Sequence, residues 1–125
     1  MKVLVVVEDD PDIQLLIQTV FSLDSRFSVA GKAASAEEGL ELAQSTGPGL
    51  IVLDHSLAGE LTGIDAAPRF KEVAPQAKII LFTAHAELRA RSDDEPAIDA
   101  FLLKTEAIEL LPLAQRLTGL GPPSG

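Results

Sequence analysis

The chain has no cysteine, tryptophan or tyrosine among its 125 residues. Without cysteine it can form neither a disulfide nor a thiolate metal site. Basic residues are also scarce, with 10 Lys and Arg against 19 Asp and Glu and a net charge of −9. That balance argues against direct nucleic-acid binding, because such binding depends on cations that neutralise phosphates. The first apolar run, residues 3–7, is too short for a signal peptide or a membrane span, so we expect a cytoplasmic protein without a membrane partner.

What the chain does have is enough apolar surface for one packed domain. Hydrophobic residues make up 46% of the sequence, and this length is close to that of a single domain. We place the domain at residues 1–118. Residues 119–125 include Gly-Pro-Pro-Ser-Gly, which cannot extend a helix and is predicted to be a flexible tail or the start of a linker.

Strand-like and helix-like segments alternate along the chain. Five short runs rich in Val, Ile, Leu or Phe are predicted strands, at residues 3–7, 27–30, 50–53, 79–82 and 100–103. A segment with helical periodicity follows each run. Five such units predict an α/β fold of the doubly wound (βα)5 type, with a parallel sheet and right-handed crossovers.

Two prolines and one polar segment set expectations for the later helices. Pro68 should lie near the first turn of the third helix, since a proline in a helix interior removes a hydrogen bond. Pro112 predicts a kink or a late start in the last helix. The highly charged segment 86–95 predicts a short and polar fourth helix.

Residues that can handle a phosphoryl group follow four of the predicted strands. Glu8 and Asp9 follow the first, Asp54 the third, Thr83 closes the fourth and Lys104 follows the fifth. Ligands of open parallel sheets bind outside the carboxyl ends of the strands. The sequence therefore predicts that carboxylates, a hydroxyl and an amine meet at one edge of the sheet.

Several carboxylates in one crevice repel each other unless they take up protons or a cation. Two of them about 4 Å apart repel by about 4 kcal/mol at an effective dielectric of 20. Magnesium resolves the conflict best, because it takes one or two carboxylates together with waters and phosphate oxygens. With that ion and Lys104 offsetting charge, Asp54 is the best placed nucleophile for forming an acyl phosphate.

The segments VVVEDDP, LIVLD, LFTAH and AFLLK resemble the receiver domains of bacterial two-component response regulators, over about residues 2–118. The resemblance implies a flavodoxin-like sheet with strand order 2-1-3-4-5. It implies that Asp54 is the phosphoacceptor and that Asp9 binds Mg²⁺ directly. Glu8 would bind the ion through water, and Ser56 would contribute its backbone carbonyl.

The same resemblance assigns a switch and a set of partners. Thr83 matches the switch hydroxyl, Lys104 the phosphate-binding lysine, and Phe101 an aromatic residue that changes rotamer on activation. Lys104-Thr105 is similar to receivers of LuxR-type regulators. The implied phosphodonor is a sensor histidine kinase or a phosphotransfer protein. An output domain or protein target would bind the fourth helix, fifth strand and last helix. Such a protein is not a turnover enzyme.

Other interpretations of the sequence stay open. Family members usually have proline where this chain has Ala58, and the loop before Gly63 is one residue longer. The domain could therefore be an interaction module that binds partners regardless of phosphorylation. A small Mg²⁺-dependent phosphohydrolase would need a second acid–base carboxylate near Asp54, and Glu60 is the candidate. Phe101 could belong to the core rather than to a switch.

Overall fold

A computed structural model describes the backbone of residues 2–121 and the side chains of residues 6–121. Five strands alternate with five α-helices, and short 3-10 segments precede the last two helices. The strands are β1 (Lys2–Val7), β2 (Phe27–Ala33), β3 (Leu50–Leu53), β4 (Lys78–Thr83) and β5 (Ala100–Leu103). The helices are α1 (Pro11–Phe21), α2 (Ala36–Thr46), α3 (Gly63–Val73), α4 (Arg89–Asp93) and α5 (Leu110–Leu117).

All five strands are parallel and lie in the order β2-β1-β3-β4-β5. The predicted fold class and strand order are therefore confirmed. Val7 pairs with Leu53, and Leu53 pairs with Leu81. Because these three residues are in register, the residues that follow β1 and β3 emerge side by side at the carboxyl edge of the sheet.

Apolar side chains cover both faces of the sheet. One cluster lies between the sheet and helices α2 and α3 and includes the fully buried Phe70. The other lies between the sheet and helices α1 and α5, where Phe21 packs edge-to-face on Phe27 at 5.0 Å between ring centroids. Every residue of β3 is buried, as expected of a central strand with helices on both sides.

Side-chain caps start three of the helices close to the carboxyl edge of the sheet. The Asp10 carboxylate accepts from the Asp12 amide, and Pro11 takes the first helical position. Ser35 caps α2 and Thr62 caps α3 in the same way. Each cap satisfies an amide that the helix itself leaves unpaired, so the loops that carry site residues end at defined points.

The two prolines have different outcomes. Pro112 falls in the first turn of α5, because residues 104–109 form a 3-10 segment first, and the predicted late start is confirmed. Pro68 lies in the interior of α3 rather than near its first turn, so that expectation is wrong. The helix starts earlier than the position of Pro68 predicts, because Thr62 caps it and its first residues, Gly63 and Ile64, are buried.

The chain after α5 stays on the domain as far as residue 121. The Leu120 amide donates to the Gln115 carbonyl at 2.8 Å, and Arg26 Nη2 donates to the Gly121 carbonyl at 2.6 Å. Residues 122–125 of the predicted tail lie outside the described residues, and the boundary at residue 118 stays a prediction. Within residues 2–121, none of the helices has the length and apolar character needed to span a bilayer.

Candidate functional site

The site lies where β1 and β3 end, because the hydrogen-bond ladder of the sheet continues one residue past each strand. The Glu8 amide donates to the Ala33 carbonyl at 2.8 Å, and the Asp54 amide donates to the Val7 carbonyl at 2.9 Å. Both acidic residues are therefore held by sheet-like backbone bonds. Glu8 is 1% exposed and Asp54 is 4% exposed, and carboxylates are almost never buried to this degree unless they are paired.

Lys104 joins the two carboxylates from the end of β5. Its Nζ atom lies 2.6 Å from Glu8 Oε1 and 3.3 Å from Asp54 Oδ2. The predicted meeting of residues after the first, third and fifth strands is thus present. One ammonium group can neutralise only one of two ionised carboxylates, so the pair needs a proton or a further cation to balance its charge.

Asp9 adds a third carboxylate at the solvent side of the site. One oxygen each from Glu8, Asp9 and Asp54 lie within 4.8 Å of one another. Glu8 Oε2 is buried and has no hydrogen-bond partner among the residues that the structure describes. A hard divalent cation takes oxygen ligands of this kind. The three carboxylates and the unpartnered oxygen fit such an ion, held directly or through water.

Burial and charge shift the proton affinity of this cluster. Desolvation of the Glu8 carboxyl, together with its contact with Asp54, raises the Glu8 pKa from 4.5 to about 8, although Lys104 opposes the shift. The pKa of Lys104 is also raised, because its contacts with Glu8 and Asp54 outweigh the desolvation that would lower it. Each shift has the direction expected of a buried group with an excess of acidic neighbours.

The loop after β3 wraps closely around the phosphoacceptor candidate. The His55 amide donates to Asp54 Oδ1 at 2.8 Å, and the Gly63 amide donates to the His55 carbonyl at 3.0 Å. A Cβ atom on Gly63 would lie 2.1 Å from the Asp54 carbonyl oxygen. Only glycine allows this approach, whereas the sequence alone marks Gly63 merely as the end of a loop.

Further along, the same loop is attached to the segment before α2. The Ala58 amide donates to the Ala34 carbonyl at 3.2 Å, and Ala58 forms an isolated bridge with Ser35. Ala58 therefore has a regular backbone partner although it stands where proline is usual. The side chains of Ser56 and Glu60 are exposed, and the metal-binding role of the Ser56 carbonyl stays a prediction.

Gln14 is a second neighbour of the site that the sequence did not single out. Its Nε2 atom donates to the Glu8 carbonyl at 2.6 Å from the first turns of α1. This bond links α1 to the segment that carries both acidic residues. A glutamine on a helix gives no signal of such a contact in the sequence, since its role depends on the neighbouring loop.

The two predicted switch residues make contacts with residues outside the acid cluster. Thr83 is fully buried, and its hydroxyl oxygen accepts from the His85 amide at 3.2 Å. Phe101 is partly buried and packs against the apolar cluster of α2 and α3. The Arg89 guanidinium lies 4.6 Å from the centre of its ring, a cation–π contact that the sequence did not reveal.

Comparison of the sequence with known proteins identifies a family. A family model described as the response regulator receiver domain matches residues 4–114. A nitrate/nitrite response regulator homolog of Haemophilus influenzae is 32% identical, covering 94% of this chain and 56% of its own length. The NarL protein of Escherichia coli is 28% identical over 64% of this chain and 37% of its own length. The chain thus spans about half the length of these relatives, or less.

Structural comparisons give the same fold. The response regulator TrrA of Thermotoga maritima, solved in complex with Mg²⁺ and BeF, has a TM-score of 0.82 and is 28% identical, with coverage of 94% of this chain and 99% of TrrA. A LuxR-family regulator from Staphylococcus aureus also has a TM-score of 0.82, at 19% identity and with coverage of 94% and 99%. At that lower identity the likeness concerns the fold alone.

Proposed function

This chain belongs to the family of response regulator receiver domains, and from that premise we propose that Asp54 accepts a phosphoryl group from a phosphohistidine donor. Receiver domains are signalling domains of two-component systems. The observation that carries the proposal is the arrangement of Asp54, which is buried 3.3 Å from the Lys104 ammonium and within one carboxylate cluster with Glu8 and Asp9.

In the proposed reaction, an Asp54 carboxylate oxygen attacks the phosphorus atom of the donor. The new P–O bond forms as the P–N bond to the donor imidazole breaks, and the imidazole leaves with the electron pair of that bond. Lys104 can then turn from Glu8 toward the transferred group and offset charge on its oxygens. The rigid sheet edge holds nucleophile and cation together before the donor arrives.

We propose Mg²⁺ as the ion of this site. Asp9 and Asp54 would hold it directly, Glu8 through water, and the Ser56 backbone carbonyl would complete the protein ligands. When bound, the ion supplies positive charge that the acyl phosphate and its donor need. The unpartnered Glu8 Oε2 supports this assignment, as does the likeness to TrrA, which was solved with Mg²⁺ and BeF.

The proposed output is a change in partner binding. Thr83 would move its hydroxyl toward the phosphoryl group and Phe101 would turn inward, which shifts an existing equilibrium between two arrangements. The partners would be a sensor histidine kinase or phosphotransfer protein, and an output domain or protein target that contacts α4, β5 and α5. Because the domain stores a phosphoryl group rather than turning over a substrate, we do not propose it as an enzyme.

Intact mass spectrometry tests the proposal directly. The protein is incubated with acetyl phosphate or phosphoramidate and Mg²⁺, and we expect one added phosphoryl group. The Asp54→Asn variant should stay unlabelled, because an amide is not a nucleophile for this transfer. Equal labelling of this variant, or no labelling of the wild type, would contradict Asp54 as the phosphoacceptor.

One further variant tests the role of Lys104, and another is a control for the removal of an acid. Lys104→Met should lower the extent of labelling without preventing folding, since methionine has similar length and no charge. Asp93→Asn is a matched control, because Asp93 is an exposed acid of α4 and should not affect labelling. A phosphorylated protein whose partner affinity equals that of the unmodified one would favour a constitutive interaction module instead.

A further inference from the structure

The proposed switch residues of this chain are held by two contacts from residues 85–89, which run from the loop after β4 into the start of α4. The Thr83 hydroxyl oxygen accepts from the His85 amide, so the hydroxyl is engaged with the loop that follows β4. The Arg89 guanidinium, at the start of α4, lies over the Phe101 ring. Both contacts therefore fix residues 85–89 to the two side chains that are proposed to move.

The surroundings of Phe101 explain why Arg89 matters. The ring packs against apolar side chains of the α2 and α3 cluster and is only partly buried. Arg89 is exposed, so its guanidinium covers the ring from the solvent side. A ring that turned inward would leave this cation behind and lose the attraction between the cation and its π face.

We propose that Arg89 is a restraint on the switch, because its contact with Phe101 stabilises the arrangement in which Thr83 is bonded to the His85 amide. Activation of the domain must then break the cation–π contact. This inference rests on the proposed function of Asp54 as phosphoacceptor. It assigns to Arg89 a regulatory role, through Phe101, without contact with the phosphoryl group.

The expected effect follows from the strength of such contacts. A ligand that binds one of two arrangements has an apparent affinity that depends on the population of that arrangement. Removing an exposed cation–π contact should shift this population about two- to fivefold. Arg89→Met keeps the length and apolar stem of the side chain but removes the charge, so it tests the contact without opening a cavity.

Beryllofluoride with Mg²⁺ is the probe, and its dissociation constant is measured by titration. Fluorophenylalanine labelling gives five signals, since the chain has five phenylalanines, and Phe101→Leu identifies the signal of Phe101. We expect Arg89→Met to bind beryllofluoride about two- to fivefold more tightly than the wild type. Its Phe101 signal should also shift toward the bound position before any ligand is added.

Two controls separate the ring contact from a general effect of charge. Arg91→Met removes the same charge from the same helix, but the Arg91 guanidinium lies 3.9 Å from Asp65 rather than over the ring, and it should give no gain. Arg89→Lys keeps a cation and should lie between wild type and Arg89→Met. In the Phe101→Leu background, Arg89→Met should have no further effect.

The possible outcomes separate the restraint by Arg89 from the proposed function of Asp54. If the wild type binds beryllofluoride and Arg89→Met binds it equally, the restraint by Arg89 is refuted while the phosphoacceptor site stands. If Arg91→Met gives the same gain as Arg89→Met, the effect is one of net charge and the restraint is also refuted. If the wild type binds no beryllofluoride, the proposed function fails and the inference fails with it.

Discussion

Two acidic residues are buried on opposite edges of this domain, and their surroundings differ in kind. Glu8 is 1% exposed at the carboxyl edge of the sheet, and Asp24 is 2% exposed in the turn between α1 and β2. Burial alone penalises both negative charges. The pKa of Glu8 is nevertheless raised to about 8, whereas the pKa of Asp24 is lowered well below its ordinary 3.8.

The difference lies in how many partners each carboxylate has. Both Asp24 oxygens accept from the Arg26 side chain, one of them also from the Arg26 amide, and the other from Gln115 Nε2 at 3.1 Å. Such forked bonds to a planar guanidinium are strong. They favour the charged form of Asp24 by more than burial disfavours it.

Glu8 shares its single cation with a second acid. Lys104 contacts both Glu8 and Asp54, and Glu8 Oε2 lacks a partner within the described part of the chain. One buried acid, Asp24, thus has all its partners within the fold itself and serves stability. The other is left incomplete at the site, where an added cation can complete it.

Asp24→Asn should be the most destabilising of the substitutions that test the contrast between Asp24 and Glu8. It leaves the Arg26 guanidinium without its charge partner and puts an amide against donors. Because the folded pKa of Asp24 is lowered, the contribution of its carboxylate to folding stability is present above pH 3.8 and is lost as the pH falls through the folded pKa. Urea unfolding should therefore find a large loss at neutral pH that shrinks in strong acid.

Phosphoryl labelling of Asp54 is the control for the Asp24→Asn substitution. The labelling of Asp54 in Asp24→Asn should stay normal at temperatures where the variant is folded, since Asp24 lies at the other edge of the sheet. A loss of stability that does not depend on pH would contradict the assignment of the effect to the charge of Asp24.

Glu8→Gln should raise the free energy of unfolding, by less than Asp24→Asn lowers it. The folded pKa of Glu8 is raised from 4.5 to about 8. The contribution of this carboxyl to folding stability is therefore fully present below pH 4.5 and is lost as the pH rises to about 8. Glutamine does not ionise and avoids that loss. Without divalent cations, we expect the variant to exceed the wild type by about 2 kcal/mol above that pH, with allowance for solvent screening.

Added Mg²⁺ should reverse this order. The ion stabilises a folded chain that binds it, in proportion to its affinity, and Glu8→Gln has lost one of the carboxylates that would hold it. Urea unfolding in acid and in alkaline buffer, each with and without Mg²⁺, gives the four values needed. A gain in the variant that is equal at both pH values would mean that burial does not raise the Glu8 pKa.

The fold was predictable because its signals are local. Continuous apolar runs such as Leu50–Leu53 predict central strands, and Ser35 with the apolar pattern after it predicts a capped helix. Pro68 lies deeper in α3 than expected because the Thr62 cap and the packing of Gly63 on the Asp54 backbone start the helix, and helical periodicity carries no signal of that packing. Secondary structure follows from periodicity, but its bounds follow from packing.

The site was predictable in its acidic residues and not in their neighbours. Strand ends in a parallel sheet converge, so Glu8, Asp54 and Lys104 could be placed together. The contact of Arg89 with Phe101 depends on the course of the short α4. Its sequence carries no signal of the distance between two exposed or half-exposed side chains.

Arg26→Lys should have the smallest effect and separates charge from geometry at Asp24. Lysine keeps the positive charge but cannot make the forked bonds to both Asp24 oxygens, nor reach the Gly121 carbonyl in addition. We therefore expect a loss of stability clearly smaller than that of Asp24→Asn, measured by urea unfolding at neutral pH. Equal losses in the two variants would mean that the fork, and not the neutralised charge, makes Asp24 differ from Glu8.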